Sequence, residues 1–361
     1  MKINRYELMR AIDKAKGIVQ RNTSIPALSA LLIDGQRAIA SNTEITLEVK
    51  LEASGGTSLL LPMRAFDIVR NLPETDLDIE QDADQTVVIR SGKITSRFAS
   101  YKVVDFTLRR ERPDAEGVVI PGGKLLEAFS KVVFAADETS VRRELSGVNL
   151  KSTGGIFTIT ATDGHMVAID EVIADGVADM DLIIPKNTVK KLIGMDMDDN
   201  ITLTYDDHSA VFETEGYTIY SRLIDGKYVN IKQLFMPEDQ LKTIRIDRKD
   251  LNAALTRANL CNADDVKHAL VVQISGHTMD MTLVASTSGY HESLEVETDI
   301  TEDLKIGLNP KMLLEALKGY SGEFITLKLV GPRTPVYISE DESALKMIVL
   351  PVNISAPDTS Q

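Results

Sequence analysis

The chain has 361 residues, of which 43% are hydrophobic and 26% are charged, so it has a globular composition with room for two or three cores. Its net charge of −14 argues at face value against a nucleic-acid partner, because DNA binding usually requires a basic surface. The single cysteine, Cys261, excludes internal disulfide bonds and indicates a reducing compartment. The charged N-terminus and the lack of any run of roughly 18 apolar residues predict a cytoplasmic protein without a membrane span.

A strand, a proline and a short amphipathic helix follow one another three times in the sequence. The prolines are Pro62, Pro185 and Pro310, which are spaced by 123 and 125 residues. We expect each proline at the first position of a helix, where its missing N–H would have no intrahelical partner. Three copies at a nearly constant spacing predict an internal repeat.

Two further patterns, a helix-periodic run and a strand-like run, repeat in the same order. The helical runs begin near Ile3, Ile120 and Ile246, and the strand-like runs near Leu28, Leu145 and Lys267. Each unit of about 120 residues reads helix, strands, strand plus helix, and strands. This pattern predicts an α+β fold of three tandem domains, each with two helices packed on antiparallel sheets. The predicted boundaries are 1–116, 117–240 and 241–354, followed by a flexible C-terminal tail at 355–361.

Positive charge is concentrated in the six predicted helices. They carry a net charge of +9, so the rest of the chain, whose total is −14, carries −23. This sorting predicts a cationic helical surface that attracts a polyanion, with acidic strands and loops that repel it. The alternative is that Lys and Arg occupy solvated helix faces because they favour helices.

The central stretch from Ile156 to Leu192 opens with two alternating strands joined at Thr162-Asp163-Gly164-His165. Gly164 suits a tight turn because glycine accepts positive φ, and Asp163 can hydrogen-bond the backbone two residues on. A hydrolase that uses Asp163 and His165 is the alternative function. No third group or nucleophile accompanies this pair, so a turn histidine that lines a pocket is favoured.

The sequence does not indicate metal or phosphate sites. The five histidines and the cysteine lack metal-ligand spacing. Asp196, Asp198 and Asp199 lack the Gly and distal Glu that complete a calcium loop, so a solvated loop is favoured. Gly55-Gly56 and Gly154-Gly155 are predicted to be hairpin turns, since no Gly-Lys-Ser/Thr follows either pair. We therefore expect no catalytic residue, no metal and no cofactor.

Several short motifs accompany the repeats. They are Ala161-Thr162-Asp163-Gly164-His165, Ile184-Pro185-Lys186, Ser221-Arg222-Leu223-Ile224-Asp225-Gly226-Lys227-Tyr228 and Val349-Leu350-Pro351-Val352, with Leu61-Pro62 and Arg90-Ser91-Gly92 in the first domain. With these motifs, the chain resembles the bacterial sliding clamp family, the β subunits of DNA polymerase III, over residues 1–354. It departs from the family pattern at Met166-Val167, at Val229-Asn230-Ile231 and at Asn353, and these departures concern which peptides a partner site accepts.

The resemblance implies a nucleoid-associated processivity factor, a head-to-tail homodimer whose helices surround duplex DNA without reading its sequence. The residues implied at or near DNA are Arg21, Arg142, Lys186, Lys190 and Lys191. At the dimer interface, Phe106 of one protomer would meet Leu260 and Cys261 of the other. A pocket between domains 2 and 3 would receive short peptides of the DNA polymerase, the clamp loader and repair proteins. The implied pocket residues are Leu145, Thr162, Gly164, His165, Val167, Val229, Leu234, Ile348, Leu350, Pro351 and Val352.

Overall fold

The structure is a computed structural model that describes residues 1–354 except 22, 57, 74, 108–111, 196–199, 263–267 and 286. The predicted tail 355–361, Lys267, and the aspartates Asp196, Asp198 and Asp199 therefore lie outside the described residues. The described residues form helices packed on antiparallel sheets, so the predicted α+β class is confirmed.

The α-helices assigned in the described ranges are α1 (Arg5–Ala15), α2 (Phe66–Asn71), α3 (Gly122–Val132), α4 (Lys186–Ile193), α5 (Arg248–Cys261) and α6 (Pro310–Leu317). Among the described residues, no helix combines the length and apolar character needed to cross a membrane.

The strands, in chain order, are β1 (Lys2–Asn4), β2 (Ala30–Asp34), β3 (Arg37–Ser41), β4 (Ile45–Lys50), β5 (Ala53–Ser54), β6 (Leu59–Pro62), β7 (Asp76–Gln81), β8 (Thr86–Ser91), β9 (Ile94–Ala99), β10 (Val118–Pro121), β11 (Gly147–Thr153), β12 (Ile156–Thr162), β13 (Met166–Ile173), β14 (Met180–Pro185), β15 (Asn200–Tyr205), β16 (Ser209–Glu213), β17 (Tyr217–Arg222), β18 (Lys242–Asp247), β19 (Leu270–Ser275), β20 (Thr278–Val284), β21 (Gly289–Glu295), β22 (Glu297–Thr298), β23 (Leu304–Leu308), β24 (Phe324–Leu329), β25 (Val336–Ser339) and β26 (Lys346–Val349).

The chain packs as two compact units, of which the first comprises Met1–Leu126 and Asn187–Asp225. It contains an eight-stranded sheet in the order β10-β15-β16-β17-β4-β3-β2-β6 and a five-stranded sheet in the order β5-β1-β7-β8-β9. The antiparallel pair β17 and β4 joins strands of the predicted second and first domains into one sheet. Helix α1 buries Leu8, Ala11, Ile12 and Ala15, whose spacing of three or four residues forms one helical face.

The second unit comprises Glu127–Lys186 and Gly226–Gln361. Its nine-stranded sheet has the order β14-β11-β12-β13-β26-β25-β24-β18-β22, and its four-stranded sheet has the order β21-β20-β19-β23. Here the antiparallel pair β13 and β26 joins strands of the predicted second and third domains. Helix α5 begins after Asp247, whose side chain accepts hydrogen bonds from Lys249 and Asp250 N–H, and it buries an apolar face against the sheets.

The three repeated prolines do not occupy equivalent positions. Pro310 is the first residue of α6, as predicted, but Pro62 and Pro185 are the last residues of β6 and β14. The prediction was therefore wrong for these two: α4 begins one residue after Pro185, and a 3₁₀ turn (Met63–Ala65) separates Pro62 from α2. In the third repeat the position equivalent to Pro62 and Pro185 is Asn309, the residue before Pro310. The Asn309 side chain accepts a hydrogen bond from the N–H of Lys311 and so caps the N-terminus of α6.

Candidate functional site

A row of side chains crosses five strands on one face of the nine-stranded sheet. Thr162 lies opposite Val167, Val167 opposite Ile348, Ile348 opposite Tyr337, and Tyr337 opposite Lys328. Residues directly opposite one another in antiparallel strands place their side chains on the same face. The β13–β26 join thus brings Thr162 and Val167 beside the C-terminal strand, as the implied pocket requires.

The centre of this row is apolar and covered. Val167, Ile169 and Ile348 form a buried cluster, and the partly buried side chains of Ile231 and Leu234 pack against it. Ile231 and Leu234 begin and end a short 3₁₀ helix in the connection after β17. The connection therefore packs on this face of the sheet; we call the two together the groove, with the sheet as its floor and the connection as its wall.

Tyr337 holds this wall in place. Its hydroxyl accepts a hydrogen bond from Met236 N–H at 3.0 Å and donates one to the Leu234 carbonyl. Its ring lies 6.2 Å from the ring of Phe235, at an interplanar angle of 30°. The wall and the floor are therefore connected through one side chain.

The turn between β12 and β13 is fixed by side chains of its own sequence. The Asp163 carboxylate accepts from the N–H of His165 and of Met166, both at 2.8 Å. Thr162 Oγ1 accepts from Gly164 N–H at 3.0 Å and donates to the Met166 carbonyl at 2.6 Å. Gly164 has φ of +88°, as predicted from the turn chemistry. Because Asp163 holds the turn and His165 is exposed, the geometry gives the hydrolase alternative no support.

The C-terminal segment continues past β26 along this turn. Leu350 N–H donates to the His165 carbonyl at 2.8 Å, and Val352 N–H donates to the Gly307 carbonyl at 2.9 Å. A Cβ on residue 307 would lie 2.5 Å from the Val352 carbonyl oxygen, so only glycine admits this approach. Leu350, Pro351 and Val352 are thereby held at the end of the groove.

The eleven predicted pocket residues have different exposures. Leu145, Thr162, Val167 and Ile348 are buried; Val229, Leu234, Leu350, Pro351 and Val352 are half-buried; Gly164 and His165 are exposed. Burial raises the pKa of Tyr228, so this phenol stays neutral. Sequence reasoning missed Ile169, Phe235 and Tyr337, and it named Ile231 only as a departure from the family pattern. The alternation Val336-Tyr337-Ile338-Ser339 predicts a strand, but it does not say which other strands and loops its faces contact.

Two of the predicted DNA-contacting lysines, Lys186 and Lys191, donate to backbone carbonyls. Lys191 Nζ donates to the Lys16 carbonyl at 2.9 Å, just past the C-terminal end of α1. In the same region Lys14, which was not among the predicted residues, donates through Nζ to the Gly194 carbonyl at 3.2 Å, just past α4. Burial, with a smaller contribution from the charge of Lys14, lowers the pKa of Lys191 to about 8. Lys186 Nζ donates to the Ala136 carbonyl at 2.6 Å.

The other predicted DNA-contacting residues, Arg21, Arg142 and Lys190, are exposed. Arg142 Nε is paired with Glu144 at 3.1 Å, so an approaching phosphate would compete with this carboxylate. DNA contact by these five residues remains a prediction.

The predicted dimer residues lie in very different surroundings. Phe106 is only 6% exposed and packs in a cluster with Leu28 and Leu60 of its own chain. The short helical turn before it carries Val104, which is 82% exposed. Leu260 is 71% exposed in the last turn of α5. Phe106 therefore supports a surface segment, whereas Val104 and Leu260 are the side chains that solvent reaches.

In the part of the chain that the structure describes, no group of three or more His, Cys, Asp or Glu side chains could hold a metal ion.

Models of the N-terminal, central and C-terminal domains of the DNA polymerase III β subunit match residues 1–107, 119–230 and 232–353. The chain is 26% identical to the β sliding clamp of Bacillus subtilis over 97% of this chain and 98% of that protein. It is also 26% identical to the β sliding clamp of Chlamydia pneumoniae, with 98% of each covered.

Solved structures agree in fold. The DNA polymerase III subunit β of Pseudomonas aeruginosa superposes with a TM-score of 0.90 at 23% identity, over 98% of this chain and 100% of the other. A putative β subunit from Eubacterium rectale gives 0.90 at 24% identity, over 98% and 99%. Three consecutive domain models of one family, in the expected order, cover nearly the whole chain. The chain therefore belongs to the DNA polymerase III β subunit family, the β sliding clamps.

Proposed function

We propose that this chain is a non-catalytic processivity factor that encircles duplex DNA as a head-to-tail homodimer and tethers a DNA polymerase through a short peptide. The observation that carries the proposal is a pair of edge strands, β9 and β21. Each lacks a neighbour on one side in its described sheet. In the other repeats, the strands equivalent to β9 and β21 pair with a strand of the neighbouring domain.

The chain already contains two joins of one kind. β17 pairs with β4, and β26 pairs with β13, always as antiparallel neighbours from successive predicted domains. By order in the repeats, β9 is the equivalent of β17 and β26, and β21 is the equivalent of β4 and β13. An exposed edge presents unpaired N–H and C=O groups that favour pairing with another chain. Pairing β9 of one copy with β21 of another gives the head-to-tail dimer.

The two internal joins share one register. Tyr220 lies opposite Thr46 in the first join, and Ile348 lies opposite Val167 in the second. Thr46 and Val167 each follow a turn of four residues, because they pair across it with Ser41 and Thr162. The repeat therefore defines which residues face each other at a join.

In the edge strand β9 the residue equivalent to Tyr220 and Ile348 is Arg97, and in the edge strand β21 the residue equivalent to Thr46 and Val167 is Gly289. Gly289 pairs with Val284, the residue five positions before it, as Thr46 does with Ser41 and Val167 with Thr162. Arg97 lies opposite Val88, the third residue of β8. In the same way Tyr220, its equivalent in β17, lies opposite Val211, the third residue of β16. We therefore propose that Arg97 of one protomer lies opposite Gly289 of the other.

Next to this join, the proposed dimer contact is made by Val104, which Phe106 supports from below. These residues meet Leu260 and Cys261 of the second protomer.

The peptide site is proposed at the β13–β26 join and not at the β17–β4 join. At the former, Val167, Ile169 and Ile348 form a buried apolar cluster, and the half-buried Leu234 packs against it. At the latter, the equivalent residues are Thr46, Glu48 and Tyr220. Short peptides dock through apolar side chains in desolvated pockets. One apolar peptide site per chain is therefore expected, for the polymerase, the clamp loader and repair proteins in turn.

DNA is held without sequence selectivity in this proposal. Exposed cations such as Arg21 and Lys190 contact phosphates, and phosphate contacts carry no base information. In this proposal the protein is cytoplasmic and associates with the DNA of the nucleoid. The domain boundaries 1–116, 117–240 and 241–354 and the peptide-binding pocket residues belong to the same proposal.

Light scattering after size-exclusion chromatography tests the dimer. We expect twice the chain mass of 39.7 kDa at micromolar concentration, and a monomer for Leu260→Asp. Ile173→Asp is the matched control, because Ile173 is also an exposed aliphatic residue, 66% exposed, but lies on the internal strand β13. A monomeric wild type, or a dimer that Leu260→Asp leaves intact, would refute the proposal.

Fluorescence anisotropy tests the pocket with a short peptide that carries a Gln and a Leu-Phe pair. Few anchors and the ordering of a flexible peptide give an expected affinity of roughly micromolar, about −8 kcal/mol. Leu350→Lys should abolish binding and polymerase stimulation while the dimer persists. Binding that Leu350→Lys and Val167→Asp both leave unchanged would place the pocket elsewhere.

A further inference from the structure

The groove continues beyond the predicted pocket residues. Tyr337 is the next member of the row after Ile348, and Lys328 follows it. Lys328 Nζ lies 3.4 Å from a Glu238 carboxylate oxygen, so an ion pair bounds the row at this end. The surface between Ile348 and this ion pair is formed by the Tyr337 ring and the Phe235 ring.

Phe235 is held at the groove although its side chain is 42% exposed. It follows directly after Leu234, whose carbonyl accepts the Tyr337 hydroxyl, and precedes Met236, whose N–H donates to the same hydroxyl. The backbone on both sides of Phe235 is thus anchored to one tyrosine. Because the backbone around this exposed ring is already fixed, little conformational entropy is lost when a ligand side chain binds to it.

We propose that Phe235 and Tyr337 form an aromatic subsite that receives an aromatic side chain of the bound partner peptide, beside the half-buried Leu234 that packs on Val167 and Ile348. This inference rests on the proposed peptide-binding function and adds a specificity-determining pair to it. Aromatic rings prefer offset-stacked or edge-to-face arrangements with centroids about 4.5–7 Å apart. The tilted pair leaves ring faces and edges for a third ring.

Tyr337 is a positioning residue in this arrangement. Its hydroxyl fixes the segment Ile231–Met236, and its ring contributes to the subsite floor. Tyr337→Phe keeps the ring and loses both hydrogen bonds, so it separates the two contributions. We expect it to weaken binding of every peptide by a similar factor, while the preference for an aromatic residue persists.

A peptide set tests the subsite. Each peptide carries the Gln and the Leu-Phe pair, and a second Phe is placed in turn at each flanking position, with Ala there as reference. On wild-type protein we expect one flanking position at which Phe binds roughly three- to tenfold tighter than Ala, the range of a single aromatic contact. Phe235→Ala should remove this preference, so that it binds the Phe and Ala peptides with equal affinity. Phe235→Trp should retain it.

The outcomes separate this inference from the proposed function. If the Ala peptide binds, Leu350→Lys abolishes its binding, and no flanking Phe is preferred, the subsite is refuted and the pocket stands. A preference that persists in Phe235→Ala also refutes the subsite. If no peptide binds wild-type protein, or Leu350→Lys changes nothing, both proposals fail. The dimer mass and melting temperature of Phe235→Ala verify that the variant is folded.

Discussion

Lys14 and Lys191 place two ammonium groups at the facing ends of α1 and α4. The last carbonyls of a helix have no intrahelical partner and carry partial negative charge, so a cation there is stabilising. The two ammonium groups also repel each other, and Lys191 loses water on burial. Burial at this contact therefore lowers the pKa of Lys191, while its ammonium group donates to a carbonyl just past the end of α1.

The stability of the first unit should depend on pH through Lys191. Its pKa falls from 10.5 to about 8 on folding, so between these values the unfolded state binds more protons than the folded state. The free energy of unfolding therefore rises as the pH increases from about 8 towards 10.5. We expect urea denaturation at pH 7, 8.5 and 10 to show that wild type gains stability relative to Lys191→Met. Lys190→Met, which removes the exposed neighbouring ammonium, is the control. Parallel curves for wild type and Lys191→Met would contradict the assignment.

Gly307 should be intolerant of a side chain. The Cβ of Gly307→Ala would meet the Val352 carbonyl oxygen at 2.5 Å, and a backbone atom cannot rotate away. We expect about 1–3 kcal/mol of destabilisation and weaker peptide binding, because the segment from Leu350 to Val352 must move. Gly331→Ala, with nothing within 4 Å of its Cβ, should be neutral in the same denaturation and anisotropy measurements. Equal behaviour of the two variants would show that the C-terminal segment adapts without cost.

Single residues differ in how far the sequence reveals them. Thr162 to His165 could be predicted as a turn, because Asp and Gly have local reasons to be there. Tyr337 could not be predicted as part of the groove, because its partners, Leu234 and Ile348, come from a connection and a neighbouring strand. Phe106 was expected at the dimer interface, and its burial among residues of its own chain depends on tertiary packing that no local pattern encodes.

At the scale of elements, the proposed register can be tested by a disulfide. In a Cys261→Ser background, Arg97→Cys and Gly289→Cys place two thiols at positions proposed to be opposite one another. A disulfide requires Cα atoms roughly 4.4–6.8 Å apart. Oxidation should therefore give a covalent dimer in denaturing electrophoresis. Arg97→Cys with His291→Cys shifts one thiol by two residues, about 6.6 Å along the strand, and should give little product. More product from the shifted pair would refute the register.

The order of elements was more predictable than their bounds. The repeat of helix, strands, strand plus helix, and strands is confirmed, because hydrophobic periodicity is a local signal. The partition of the central domain between the two units was not foreseeable. It depends on β17 extending the sheet of β4 and on β26 extending that of β13, and such pairings are non-local.

The net charge of −14 constrains how the whole molecule can hold DNA. A protein of this charge gains little from simple attraction to a polyanion, and the exposed cations of the helices act only at short range because salt screens them beyond about 8–10 Å. Lys186 and Lys191 are also engaged by backbone carbonyls. Strong equilibrium binding is therefore not expected, and in the proposed function retention on DNA comes from closure of the ring.

Loaded protein should accordingly be retained by topology. After a clamp loader places it on nicked circular DNA, we expect it to stay with the DNA through gel filtration and to be lost once a restriction enzyme linearises the circle. Equilibrium binding to a short duplex should be weak and should fall steeply with salt. The Arg97→Cys, Gly289→Cys protein gives the control: oxidised before loading it should fail to load, and oxidised after loading it should remain on circular DNA in denaturant. Retention on linear DNA with free ends, or tight binding of one duplex sequence at physiological salt, would rule out a sliding ring.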